Sequence, residues 1–293
     1  MRGLLSLFCL CSVCLWPALG YGAFEDLESG VRAQGLANAY TAVAEGASAI
    51  HYNPAGLAHA DSLEVSAFYK KLFSIVHNVT LDAVYPTKWG TFGASFQSVS
   101  VKGDYTEYSG VPEKPKIVEA DATLEEDRAI TLSHGFGLTS DLSFGYNIVV
   151  YSLKQARFGT GWAVGTDVGF LAKLYRRWQL GLFAHNINQP KVGEEVSHGL
   201  PRLISAGVAY TPFSGVTTTL DFSKEVGWPT RLAVGQEFPL VQDLLLVRAG
   251  VQSEPFRWSA GFGARWQQAI LDYAYASHEV LPSTHQVGLA FRF

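Results

Sequence analysis

The stretch RWSAGFGARWQ, residues 257–267, decides the fold. Extended, it puts Trp258, Ala260, Phe262, Ala264 and Trp266 on one face and Arg257, Ser259, Gly261, Gly263, Arg265 and Gln267 on the other, because successive side chains of a strand point to opposite sides. One face is apolar and bounded by tryptophan; the other is polar and rich in glycine. Such a strand suits a bilayer crossing in which the apolar face meets lipid and the polar face lines an enclosed interior.

The period of two recurs on both sides of that stretch. LSFGYNIVV (142–150) sets Leu142, Phe144, Tyr146, Ile148 and Val150 on one face, and VTTTLDFS (216–223) opposes Val216, Thr218, Leu220 and Phe222 to Thr217, Thr219, Asp221 and Ser223. The last stretch, QVGLAFRF (286–293), has Val287, Leu289, Phe291 and Phe293 opposite Arg292. The alternation predicts fourteen strands, near 63–71, 75–86, 91–103, 128–138, 142–154, 161–174, 178–187, 202–211, 216–224, 231–238, 243–252, 256–266, 268–277 and 284–293. An even count brings the chain back to the side on which it began. Connections after even-numbered strands are short (PTKWG, TSD, YRRW, PFSG, LVQ, QQ), whereas the long segments 104–127 and 188–201 follow odd-numbered strands. A membrane barrel has this asymmetry of rims; a soluble β-sandwich, the competing all-β reading, has no reason to.

Composition points the same way. Apolar residues make up 48% of the chain and charged ones 16%, yet after residue 20 no run reaches the roughly 18–20 apolar residues of a spanning helix. A closed barrel is then how so apolar a chain satisfies its backbone in lipid. Residues 1–20, with Arg2, the apolar run Leu4–Trp16 and the small pair Ala18 and Gly20, read as an export signal. All three cysteines, Cys9, Cys11 and Cys14, fall inside it, so the remainder carries no thiol chemistry. The 22 basic residues less Arg2 leave 21 against 26 acidic, a net charge near −5 without a basic block. Nucleic acid is therefore not an expected partner.

The segment before the first strand, SGVRAQGLANAYTAVAEGASAIHYNPAGLA (29–58), is dominated by alanine and glycine, small enough for a helical plug threaded inside the barrel. Asn53 suits the cap of a short turn with Pro54 at its first position, and Gly56 relieves the backbone beyond. The expected division is 1–20 export signal, 21–62 plug and 63–293 barrel, an all-β transmembrane antiparallel fold. Its expected place is the outer membrane of a Gram-negative-type bacterium, with membrane lipid and the barrel-assembly machinery as partners. The terminal aromatic Phe293, with Phe291 two residues before it, is the kind of signal that machinery reads.

Gln34-Gly35, Ala42-Val43-Ala44, Ala47-Ser48-Ala49 and Asn53-Pro54-Ala55-Gly56-Leu57 resemble the N-terminal hatch signature of the long-chain fatty-acid transporter (FadL) superfamily. NINQPKV, LPRLISAGVAYTP, TTLDFSKE and LDYAYASHE followed by STHQVGLAFRF are similar in character and order to the compact barrels related to the type IX secretion proteins PorV and PorQ. The resemblance implies a fourteen-stranded barrel with a hatch in its lumen. For function it implies a plugged barrel that docks, exports or anchors secreted proteins, with a FadL-like transporter of hydrophobic small molecules as the alternative. The acidic residues of 104–127 (Glu107, Glu113, Glu119, Asp121, Glu125, Glu126, Asp127) and the polar segment 188–201 (Lys191, Glu194, Glu195, His198) favour a protein partner over a greasy ligand.

Catalysis, metal and cofactor are not expected. Ser133-His134 and Ser197-His198 are sequence neighbours and so face opposite sides of a strand, and no His or carboxylate cluster has metal-ligand spacing. An open porin is weighed against the inward-facing charges Asp167, Lys173, Asp221, Arg231, Glu237, Arg248, Arg257, Arg265, Asp272 and Arg292. Cross-lumen ion pairs that hold the plug are the expected use of these groups.

Overall fold

Alternation along the chain becomes a closed sheet in the computed structural model, which describes residues 29–72, 75–107, 116–155, 159–193, 198–242 and 244–293. The export-signal reading of 1–20 and the first residues of the expected plug lie outside the described residues. The strands are β1 (Glu64–Leu72), β2 (Val76–Thr87), β3 (Gly90–Glu107), β4 (Lys116–Gly137), β5 (Leu142–Gln155), β6 (Gly159–Leu174), β7 (Trp178–His185), β8 (Lys191–Val192), β9 (His198–Gly199), β10 (Leu203–Phe213), β11 (Val216–Glu225), β12 (Thr230–Val241), β13 (Leu245–Gln252), β14 (Arg257–Trp266), β15 (Ala269–Ala276) and β16 (Thr284–Arg292). Fourteen of them pair antiparallel with their neighbours into one barrel, and β8 with β9 forms a separate hairpin. The seam joins β1 to β16 from Glu64 opposite Arg292 to Lys71 opposite His285.

Polarity is inverted relative to a water-soluble protein. Leu132, Ile148, Val164, Leu182, Ile204 and Leu289 are exposed on the outer face, while Asn78, Thr80, Asp82, Gln97, Asn147 and Asp221 are buried on the inner one. A sandwich in water buries its apolar face; this sheet buries its polar face, as a membrane barrel does. Near the short-turn rim, aromatic rings pack on the exterior, with Phe92 stacked on His134 at 4.4 Å, Phe144 beside Phe170 at 4.9 Å and Trp178 beside Tyr210 at 4.5 Å.

Three expectations need correction. The described residues of segment 104–127 are strand, not loop: β3 runs to Glu107 and β4 begins at Lys116, and the pairing continues through register shifts at Val101/Lys102 and beyond. Past the membrane both faces of a hairpin are wet, so acidic residues do not end it. Of the acidic side chains that carried the loop reading, those of Glu107, Glu113, Glu119, Asp121, Glu194 and Glu195 lie outside the described residues, as does that of His198. Segment 188–201 turns into the barrel mouth, where Val192 and Leu200 are buried against Ala129, Val149, Tyr151 and Leu153. The segment before β1 is not one helix. It has α1 (Val31–Gly35), α2 (Ala49–Tyr52) and a 3-10 turn at Pro54–His59, and consecutive left-handed residues Ala37 and Asn38 break it between.

Candidate functional site

The candidate site is the lumen, which residues 29–60 cross. Their small side chains let the backbone come close to the wall, and the wall answers with glycine. A Cβ on Gly145 would strike Pro54 and the Ala55 nitrogen, and one on Gly181 would strike the Thr41 carbonyl. These glycines are needed for space. The same holds for Gly56, where a side chain would meet the Ala44 carbonyl, so its role is close approach, not backbone relief.

Polar groups of the inner wall then take up the segment's loose backbone ends, as a buried chain without regular secondary structure requires. Asp221 Oδ2 accepts the N–H groups of Tyr40 at 2.9 Å and Thr41 at 2.7 Å. Asn147 Nδ2 donates to the Ile50 carbonyl at 2.9 Å, and Ser259 Oγ donates to that of Gly35 at 3.2 Å. Asn53 works from the other side: its Oδ1 accepts from Ala55 N at 3.2 Å as a cap, with Pro54 at the first turn position, and its Nδ2 donates to Thr41 O at 2.9 Å and Phe170 O at 3.0 Å. Ala55 and Leu57 are fully buried.

Charge fixes the segment toward the short-turn rim. Glu237 accepts from Arg32 Nε at 2.9 Å and from Arg248 Nε at 2.6 Å, and Arg248 also meets Asp272. Burial works against the Arg32 charge, but Glu237, with Glu45 beyond it, outweighs burial and holds the guanidinium pKa above its usual value. At the seam, Glu64 accepts from Arg292 Nε at 2.6 Å and from Ala47 N at 3.0 Å. Asp167 accepts from Asn147 at 2.9 Å and from the Asn186 N–H at 2.9 Å, with His185 Nδ1 at 2.8 Å.

The segment divides the interior. Above it, toward the long-loop rim, a cavity of about 320 Å³ is lined by Leu203, Ser223, Glu225, Trp228, Pro229, Arg231, Glu254, Pro255, Arg257 and His278. Two residues further along the strands from its lining residues Ser223 and Arg257, Asp221 and Ser259 hold Tyr40, Thr41 and Gly35 of the segment. Below lie cavities of about 220 and 260 Å³, both bordered by Arg32 and one of them by Lys173. Arg265 and Asp272 line a smaller space beside Arg248 and Arg292.

The predicted site residues therefore part into groups. Asp221 and Asn53 to Leu57 seat the segment; Arg248, Asp272 and Glu237 form one network with Arg32; Arg231 and Arg257 border the upper cavity. Phe291 and Phe293 lie outside on the last strand, their rings 6.4 Å apart. Sequence reasoning missed Arg32, a lone cation in a run of small residues, and Trp228, whose place on the cavity wall follows from the turn between β11 and β12. Ser133 donates to Asn147 inside the barrel while His134 stacks on Phe92 outside, so the two do not meet.

Residues 23–166 match a sequence family described as Uncharacterised protein family (UPF0164). No curated protein matches the sequence. Among solved structures, the chain is similar to the toluene transporter TodX of Pseudomonas putida at 14% identity and TM-score 0.60, over 92% of this chain and 99% of that one. A TodX monoaromatic hydrocarbon channel mutant, deltaS2, aligns at 14% identity and TM-score 0.64 over 90% of this chain and 98% of that one. A FadL homologue of Pseudomonas aeruginosa aligns at 13% identity and TM-score 0.59, over 90% and 95%. These likenesses establish the shared barrel fold.

Proposed function

We propose that this chain is an outer-membrane channel for hydrophobic small molecules, with the luminal segment as its gate. The observation that carries this reading is the composition of the short outer loops. Val226, Phe256 and Val280 are exposed on three neighbouring loops, each within two residues of a side chain that lines the 320 Å³ cavity, which Leu203, Trp228, Pro229 and Pro255 help to wall. Water-exposed apolar groups converging on a half-apolar cavity make a landing place for a greasy solute. The described residues of the longest segments, on which the protein-docking expectation rested, are strand or mouth-filling hairpin instead. The fold relatives named above as hydrocarbon and toluene channels support the transport reading, and the PorV-like docking reading has no comparable observation behind it.

Size narrows the solute. An apolar cavity of about 150 Å³ holds one benzene, so about 320 Å³ suits a one- or two-ring aromatic or a short acyl chain. Passage requires residues 35–41 to move, because Asp221 and Ser259, next to the cavity's wall residues on the same strands, tether them across the lumen. The test is accumulation of radiolabelled toluene and naphthalene by cells expressing the protein, against cells expressing Val226→Asp/Val280→Asp. Uptake above background that falls about five-fold or more in the variant is expected; sugar uptake rising while hydrocarbon uptake stays at background would overturn the reading.

A further inference from the structure

The exterior of β16, β1 and β2 changes character at a single row. Rising from the short-turn rim, the outward residues are Phe291, Leu289 and Val287 on β16, Val65 and Tyr69 on β1, and Tyr85, Leu81 and Val79 on β2, all exposed apolar or aromatic groups. The next outward residue on each strand is basic: His285, Lys71 and His77. They lie side by side, since Lys71 is the cross-strand partner of both His285 and His77. From Phe293 to this row is eight residues, about 20 Å along the membrane normal at ordinary strand rise and tilt. The row therefore stands near the outer edge of a roughly 25 Å apolar band, where acyl chains give way to headgroups.

The two imidazoles are held alike. Tyr69 Oη lies 2.8 Å from His77 Nδ1, and Tyr273 Oη lies 2.8 Å from His285 Nδ1, while the Tyr275 ring stands edge-on to His285 at 5.5 Å. A phenol that donates to Nδ1 leaves the ring proton on Nε2, at the end of the ring away from the tyrosine. Lys71 has no ion-pair partner among the described residues. The row is local: its next partners are Ser100 and then Glu126, which pairs with Arg128.

We propose that His285, Lys71 and His77 bind the phosphate of a lipid headgroup in the outward leaflet. Lys71 supplies the charge, the flanking Nε2–H groups complete a line of donors to the phosphate oxygens, and the tyrosines one row below meet the upper acyl chain. Tyr69 and Tyr273 are positioning residues that fix the imidazoles. The assignment is independent of what passes through the lumen.

Native mass spectrometry of the whole barrel, released from nanodiscs of phosphatidylcholine doped with phosphatidic acid, tests it. The wild type is expected to retain a phosphatidic acid adduct about ten-fold more than Lys71→Gln/His77→Gln/His285→Gln, with 10 mM inorganic phosphate failing to displace it. Tyr69→Phe/Tyr273→Phe should lose two- to three-fold, and Lys71→Arg should retain the lipid. Heat-modifiable migration in gels establishes that each variant is folded. Equal retention by the folded triple variant would overturn the proposal, as would displacement by inorganic phosphate, which would mark a free-anion site. If the triple variant does not fold, the Tyr69→Phe/Tyr273→Phe barrel decides, and unchanged retention there sinks the arrangement.

Discussion

On β5, Ile148 and Val150 face lipid, while Gly145 and Asn147, their near neighbours on the chain, face the luminal segment. Lipid asks only that the first pair be apolar. The segment asks that Gly145 have no side chain at all and that Asn147 present a donor to the Ile50 carbonyl. One face of the sheet is matched to a fluid of interchangeable chains, the other to a single peptide in a single pose. Tolerance to substitution should differ accordingly.

The largest break in that contrast is sought at Gly145→Leu. Its Cβ already collides with the Pro54 backbone, and neither backbone can yield cheaply, so a loss of about 3 kcal/mol or more is expected. It would be read as disappearance of the heat-resistant folded band; a variant that melts like the wild type would erase the distinction between faces. Next comes Glu237→Gln, which leaves Arg32 and Arg248 sharing a neutral partner. Removing one member of a buried ion network costs about 3 kcal/mol, and planar-bilayer recordings should show higher conductance as the segment loosens. Unchanged conductance with lowered stability would show that the network holds the wall but not the gate. Smallest is Val287→Leu on the outer face, expected to shift thermal stability by no more than about 0.5 kcal/mol. A large effect there would mean that the exterior, too, is matched to a specific neighbour.

The same contrast explains what the sequence made legible. The outer face writes its requirement into a local code, apolar at every second position, and the fourteen strands expected from that code agree with the barrel closely, from Glu64–Leu72 to Thr284–Arg292. The code stops where the membrane stops. Beyond it, β3 and β4 continue as a wet hairpin with no alternation to announce it, and the hairpin of β8 and β9 is set by Val192 and Leu200 finding Tyr151 and Leu153 on other strands. The cap at Asn53 and Pro54 was readable because it spans three residues. Partners such as Arg32 and Glu237, 205 residues apart, are joined only by closure, as are the three loops that surround the upper cavity. The short loops carrying Val226, Phe256 and Val280 hold only a few apolar residues with no period, so in the sequence the two long polar segments outweigh them.

Glu64 sits at the seam with one carboxylate oxygen on Arg292 of the last strand and the other on the Ala47 N–H of the luminal segment. Its backbone neighbour Leu63 takes the N–H of Phe293. The stretch that must be inside the barrel is thus tied to the same residue that marks where the barrel shuts. Sealing the wall and seating the segment converge on one carboxylate, a single point at which loss of charge would slacken both.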